Sequence, residues 1–191
     1  EHLQGLVDRF GYRRDWAVEN PAVRGHVTNN LGDEDCLRWT LGRILAVLEK
    51  GGFDLYREDF NTDPEPSWWW IDRQESEKLG LTRYGVAENK IIQGHYRLWD
   101  GILAWAAAHG KPTFLDSCAS GGGRNDIESL RRAIPFLRSD ADRTKMSLRF
   151  GMTAAFCRWI PFNGAICKES ENERLPTAGA GPDLYVFRAS Y

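Results

Sequence analysis

The segment Phe53-Asp54-Leu55-Tyr56-Arg57-Glu58-Asp59-Phe60-Asn61 ends what reads as a short β-strand with three consecutive charges. Strands packed between helices are normally near-continuous apolar runs, so these charges carry a desolvation cost that partners or a function must offset. Side chains alternate faces along a strand, which sets Phe53, Leu55, Arg57 and Asp59 on one face and Glu58 on the other. An arginine beside a carboxylate holds it ionised by charge attraction, and an ionised carboxylate is what a carboxylate nucleophile requires. Two aspartates are candidate partners for Asp59. Asp126 precedes Ile127-Glu128-Ser129-Leu130 and would also serve as a helix N-cap. Asp140 ends a strand pattern as Asp59 does, and spacing favours it. Glu58 is expected to pair with a helix-borne Lys or Arg rather than to take part in chemistry.

The glycine-rich stretch Cys118-Ala119-Ser120-Gly121-Gly122-Gly123-Arg124 lacks the GxxxxGK[ST] and GxGxxG spacings of phosphate cradles. It reads either as a tight turn or as a loop that lets a flat ring lie against bare backbone, which suits a sugar. Trp68-Trp69-Trp70, flanked by Pro64, Pro66 and Asp72, cannot all face one core. At least one is expected to be exposed, where an aromatic face can stack on a sugar. Trp39, Trp99 and Trp105, on helical patterns, read as core residues.

These residues need a scaffold, and alternating strand and helix patterns supply one. The first 24 residues show no clear periodicity, and Gly25 to Leu31 is a weak strand signal. Asp33 to Lys50 carries a helical stripe (Leu37, Leu41, Ile44, Leu45, Leu48) closed by Gly51-Gly52. Phe53 to Asp59 is a strand, and Phe60 to Tyr84 reads as a long functional loop. Val86 to His109 is a second long helix, with Ile91, Ile92, Trp99, Ile102, Leu103 and Ala106 inward. Strands are expected at Pro112 to Ser117, near Phe136 to Asp140, over Phe150 to Pro161 and at Leu184 to Ala189. A short helix is expected from Ile127 to Ala133, and loops at Cys118 to Arg124 and Thr177 to Pro182. Short strands alternating with helices indicate an α/β fold with a parallel sheet, either doubly wound or a (β/α)₈ barrel. Polar groups at successive strand ends (Arg57-Glu58-Asp59, Asp116-Ser117-Cys118, Ser139-Asp140) fit the mouth of a barrel best.

Composition narrows the function classes. With 25 basic and 27 acidic residues among 191, the net charge of −2 gives no pull toward nucleic acid or an anionic membrane. No apolar run approaches the roughly 20 residues of a membrane span. The start, Glu1-His2-Leu3-Gln4, has neither an initiator Met nor a signal-peptide pattern and reads as a cut inside a longer protein. Cys36, Cys118, Cys157 and Cys167 lack metal-type spacing and do not read as a disulfide framework in a chain of this size; they leave the compartment open.

Three motifs in order resemble those of glycoside hydrolase family 36, the melibiase-type α-galactosidases. Tyr56-Arg57-Glu58-Asp59-Phe60-Asn61 is similar to the nucleophile strand, usually Lys-x-Asp-x-Asn. Asp116 to Asp126 resembles the Ser-Cys-x-Ser-Gly-Gly-Gly loop, and Leu137-Arg138-Ser139-Asp140 resembles a Trp-Thr-Ser-Asp strand end. The resemblance covers most of residues 20–191, with Gly25 to Leu31 similar to the third barrel strand. It implies one partial TIM-barrel domain over residues 1–191, spanning about strands 3 to 8, whose open edge oligomerisation or further chain would close. It implies Asp59 as nucleophile and Asp140 as general acid/base, with Arg57, Asn61, Trp68, Cys118, Gly121 and Arg24 contacting substrate. Arg57 stands where the family usually has a lysine, and arginine offers a rigid planar fork rather than a point charge.

The activity so implied is retaining hydrolysis of terminal α-galactosides in small oligosaccharides, with no metal or organic cofactor. It calls for carboxyl groups roughly 5–5.5 Å apart, with Asp59 kept acidic by Arg57 and Asp140 raised by burial. A non-catalytic carbohydrate-binding fragment, and an α-N-acetylgalactosaminidase or transglycosidase using the same two carboxylates, are the competing expectations.

Overall fold

A computed structural model describes residues 2–59, 61–118, 126–140, 146–160 and 164. The chain divides into two compact units: Glu1–Asp54 with Thr62–Thr113, and Leu55–Asn61 with Phe114–Tyr191.

The first unit is built on helices. Helix α1 (His2–Phe10) leads through a 3₁₀ turn (Arg14–Trp16) to strands β1 (Ala17–Glu19) and β2 (Val27–Asn29). Helix α1 was not expected; it is short, with Leu3 and Val7 four apart against the core while Leu6 and Phe10 stay exposed. β1 and β2 pair antiparallel, Val18 opposite Thr28. The weak strand signal at Gly25 to Leu31 therefore holds a real strand, but among the described residues it has no parallel neighbour of the kind a barrel strand has. Geometry forces this outcome: a parallel crossover takes about a dozen residues, and the link between Glu19 and Val27 is shorter. Asn20 shapes the link by accepting the Ala22 amide on its side chain at 2.8 Å and donating Nδ2 to the Asp63 carbonyl at 2.8 Å.

Helix α2 (Glu34–Gly51) begins where expected because Asp33 accepts the Asp35 and Cys36 amides, both at 2.9 Å, and it ends at Gly52 in the left-handed conformation. Tyr12, Trp16 and Cys36 form a small core joined by half-buried Trp39, with Tyr12 edge-on to Trp16 at 5.3 Å. Burial pushes the Cys36 thiol up to about 12, so it stays protonated beside Asn29 Oδ1 at 3.0 Å.

Helix α3 (Glu65–Leu79) replaces the expected long loop. Pro64 and Pro66 suggest irregular backbone, yet proline is favoured in a helix's first turn, where its missing N–H costs nothing. The following Trp-Trp-Trp-Ile-Asp-Arg-Gln-Glu-Ser-Glu-Lys-Leu contains no further breaker, and Gly80 ends it. Trp69 and Trp70 are exposed, as expected of the run, whereas Trp68 is half-buried.

Helix α4 (Val86–Ala108) packs on both α2 and α3. It buries Ile91, Leu98, Trp99, Ile102 and Ala106, while Ile92, Leu103 and Trp105 are half-buried. Two glycines let neighbours come close: a Cβ at Gly101 would meet Leu41, and one at Gly94 would meet the Leu31 carbonyl. The first turn of α4 follows Gly85, which has no side chain to cap it. Asp72 of α3 does so instead, accepting Val86 N at 3.0 Å and Ala87 N at 2.9 Å from a position only 3% exposed. Asp72→Ala orphans two amides at once and is expected to lower stability by about 2 kcal/mol, read as a lower urea midpoint at constant slope. A wild-type midpoint would rule the capping role out.

The second unit holds the parallel pair β3 (Leu55–Glu58) and β4 (Phe114–Ser117), then α5 (Ile127–Leu130) and α6 (Met146–Phe156). Helix α6 stands where Phe150 to Pro161 was expected to be a strand. The apolar residues there include Met and Ala, which favour helix, and a short apolar run does not separate the two by alternation alone. The expected strand near Phe136 to Asp140 is reduced to one parallel bridge between Ile134 and Asp116. The next amide that could extend this ladder, that of Phe136, donates to the Asp116 side chain instead. The parallel α/β pattern thus holds for this unit. Among the described residues the strands form two two-stranded sheets and no closed barrel. The expected loop at Thr177 to Pro182 and strand at Leu184 to Ala189 lie outside the described residues.

Candidate functional site

The site grows from the register of β3 and β4. Leu55 lies opposite Phe114, Tyr56 opposite Leu115, Arg57 opposite Asp116 and Glu58 opposite Ser117. Pleating then divides the charges as alternation predicts. Arg57 and Asp59 share a face with Asp116, and Tyr56 and Glu58 take the other.

On that second face Glu58, 6% exposed, accepts the Tyr56 hydroxyl at 2.8 Å. Burial first, then the Glu58 charge and this hydrogen bond, push the Tyr56 phenol well above its ordinary value, so it remains a donor. Tyr56, two residues away on the same strand, is one partner of Glu58.

On the first face Arg57 serves two carboxylates. Its Nη1 pairs with Asp116 Oδ2, and its Nη2 donates to Asp59 Oδ2 at 3.3 Å. The Asp116 side chain is 2% exposed and that of Asp59 41%. The guanidinium therefore links a buried anion to an accessible one. Burial pulls the Arg57 cation down, but its hydrogen bond and attraction to Asp116, helped by Cys118 and Asp59, outweigh that and hold it above its ordinary value.

Asp116 is the residue that sequence reasoning missed. It was visible as part of a polar strand end, but nothing local says that it stands opposite Arg57. Its second oxygen is also used: Oδ1 accepts the Phe136 amide at 3.0 Å. Cys118, a buried free thiol, sits one position beyond β4, where its amide donates to the Glu58 carbonyl at 3.0 Å. Ile134 N donates to Leu115 O at 2.8 Å, which sets the segment leading to Asp140 alongside β4. Arg138, 2% exposed, fastens that segment by donating to Thr153 Oγ1 at 2.8 Å and the Arg149 carbonyl at 3.3 Å.

Asp59, Arg57, Asn61, Cys118 and Asp140 all belong to the second unit, and Arg24 and Trp68 to the first. Gly121 lies outside the described residues. Asp140 is exposed, where burial was expected. Asp126 takes the plain role, capping α5 through bonds from Ser129 N at 2.9 Å and Ser129 Oγ at 3.0 Å. Among the described residues no three His, Cys, Asp or Glu side chains converge on a metal position, and no helix is long and apolar enough to cross a membrane.

No family model matches the chain, and no curated protein matches it in sequence. Solved structures do match. The α-galactosidase of Lactobacillus brevis superposes with a TM-score of 0.59 at 17% identity, over 96% of this chain and 24% of that one. The galactosidase domain of an α-galactosidase–sucrose kinase gives 0.60 at 16% identity, over 92% and 22%. A glycoside hydrolase family 36 α-galactosidase of Geobacillus stearothermophilus, solved with raffinose, gives 0.60 at 18% identity, over 97% and 24%. The chain shares the fold of a region of these enzymes. It spans 22–24% of their length, and at this identity the likeness concerns fold alone.

Proposed function

We propose that the chain is the catalytic segment of a retaining α-galactosidase-type glycoside hydrolase. The observation that carries this reading is the accessible Asp59 carboxylate at the end of a parallel strand, hydrogen-bonded by Arg57, with Cys118 just beyond the end of the neighbouring strand, in a fold shared with α-galactosidases. In this reading β3, β4 and the Ile134 segment are adjacent strands of a (β/α)₈ barrel.

Asp59 attacks the anomeric carbon of a terminal α-galactosyl unit, and the glycosidic C–O bond breaks as the ester bond to Asp59 forms. Asp140 gives its proton to the departing oxygen, then takes one from the water that hydrolyses the ester. Arg57, bonded to Asp59 through Nη2, holds that carboxylate turned toward the sugar. Asn61, Cys118 and Gly121, of the same unit as Asp59, are the proposed sugar contacts.

The expected outcome is release of p-nitrophenol from the aryl α-galactoside, with proton NMR showing the α-anomer as first-formed sugar. Formation of the β-anomer first would overturn the double displacement. The exposed Trp69 and Trp70 favour one competing reading, a carbohydrate-binding segment without turnover. Sugar binding with no aryl release would establish that reading instead.

A further inference from the structure

The geometry points to Asp116 as the residue that positions the reacting groups: its buried carboxylate holds the Arg57 fork that bonds Asp59, and it also holds the backbone that leads to Asp140. This rests on the proposed glycosidase reading and adds to it a residue that contacts no sugar.

The argument starts from how Asp116 is used. A carboxylate only 2% exposed is costly unless paired, and both its oxygens are engaged in different directions. Oδ2 meets Arg57 Nη1, across the ladder from β4 to β3. Oδ1 accepts Phe136 N at 3.0 Å, on the opposite side of β4. The ladder between β4 and the next segment stops at Ile134, and the Phe136 amide, the next donor that faces β4, goes to the Asp116 side chain instead. Phe136 stands four residues before Asp140, and Arg138 between them is itself buried and bonded.

One anion therefore fixes two neighbours that carry the two proposed reacting carboxylates. On the Arg57 side the fixation has a chemical consequence. A lone guanidinium next to Asp59 would be free to close on it as a bidentate pair, which ties up both oxygens of a nucleophile. With Nη1 committed to Asp116, Arg57 reaches Asp59 through Nη2 alone at 3.3 Å, a contact to Oδ2 that leaves Oδ1 for the sugar. This also accounts for an arginine at this position: two carboxylates on one rigid fork need its planar geometry, which a lysine's single ammonium lacks.

The test compares Asp116→Asn, Asp116→Glu, Arg57→Met and the Asp116→Asn/Arg57→Met pair, all checked for folding by far-UV circular dichroism. Two readouts are taken: kcat and KM on p-nitrophenyl α-galactoside, and the Arg57 guanidinium ¹⁵N–¹H NMR signals. Asp116→Asn keeps an acceptor for Phe136 but loses the charge that holds Arg57. It is expected to lower kcat by about 30-fold with KM within threefold, and to collapse the separate Arg57 Nη signals of the wild-type protein. Asp116→Glu is expected to recover part of the loss, and Asp116→Asn is expected to cost little once Arg57 is Met. Turnover within twofold of wild type in Asp116→Asn, or fully additive costs in the pair, would overturn the proposal. Absence of turnover in the wild-type protein would count against the glycosidase reading, and the NMR signals then decide separately: persistence of the Arg57 Nη signals in Asp116→Asn overturns the positioning role.

Discussion

Asp59→Ala is expected to reduce turnover of an aryl α-galactoside by about 10⁴-fold or more, the scale of losing a covalent nucleophile. Its fold should survive, because the side chain is 41% exposed and its hydrogen bond from Arg57 is long, at 3.3 Å. The thermal midpoint should stay within about 2 °C of the parent. Removing the carboxylate leaves a gap at the anomeric carbon that a small anion can enter. Added azide should therefore restore release of the aryl group and yield a glycosyl azide of inverted configuration, since one displacement replaces two. A variant that kept full activity would end the assignment of Asp59. Activity that fell without azide rescue would point to a supporting role for this carboxylate rather than attack.

Gly94→Ala should produce the largest change in stability. On helix propensity alone the substitution would stabilise α4 by about 1 kcal/mol. The structure reverses the sign: the new Cβ would lie 2.0 Å from the Leu31 oxygen and 2.6 Å from its carbonyl carbon. Both are backbone atoms, so no rotamer change relieves the clash, and α4 must back away from the segment before α2. Overpacking of this kind costs about 3 kcal/mol, which outweighs the propensity gain. Urea unfolding checks it, and a midpoint equal to or above that of the parent would show that the Leu31 segment yields without cost.

Much of this arrangement can be read from the chain, and the limits have physical causes. Helix α2 carries its own information: a stripe of apolar residues, Asp33 before the first turn, glycine after the last; α4 carries its apolar stripe. The division of Arg57 and Asp59 from Glu58 follows from pleating alone. Helix α3 was obscured because proline marks both irregular backbone and helix starts, and only the chain beyond Pro66 distinguishes them. Asp116 was obscured for a different reason. Which residue faces Arg57 depends on the register between strands some 59 positions apart, and register is settled by packing, not by any local pattern. Asp140 shows a third limit: its place in a motif is legible, but its exposure is set by how the segment after Pro135 is held.

Asp72 gives helix α4 a beginning that it does not own. A helix with its own N-cap can flicker into existence alone, since the cap and the first turn are neighbours in sequence. Here the acceptor lies 14 and 15 positions upstream, on α3. The start of α4 is thus secured only after α3 has formed and the connecting turn has closed. That closure is helped by Ser76 Oγ, which takes the Arg83 amide at 2.8 Å and gives its proton to the Asp72 carbonyl at 2.7 Å. The two helices are expected to fold as one cooperative step, with the order of assembly written into a single carboxylate.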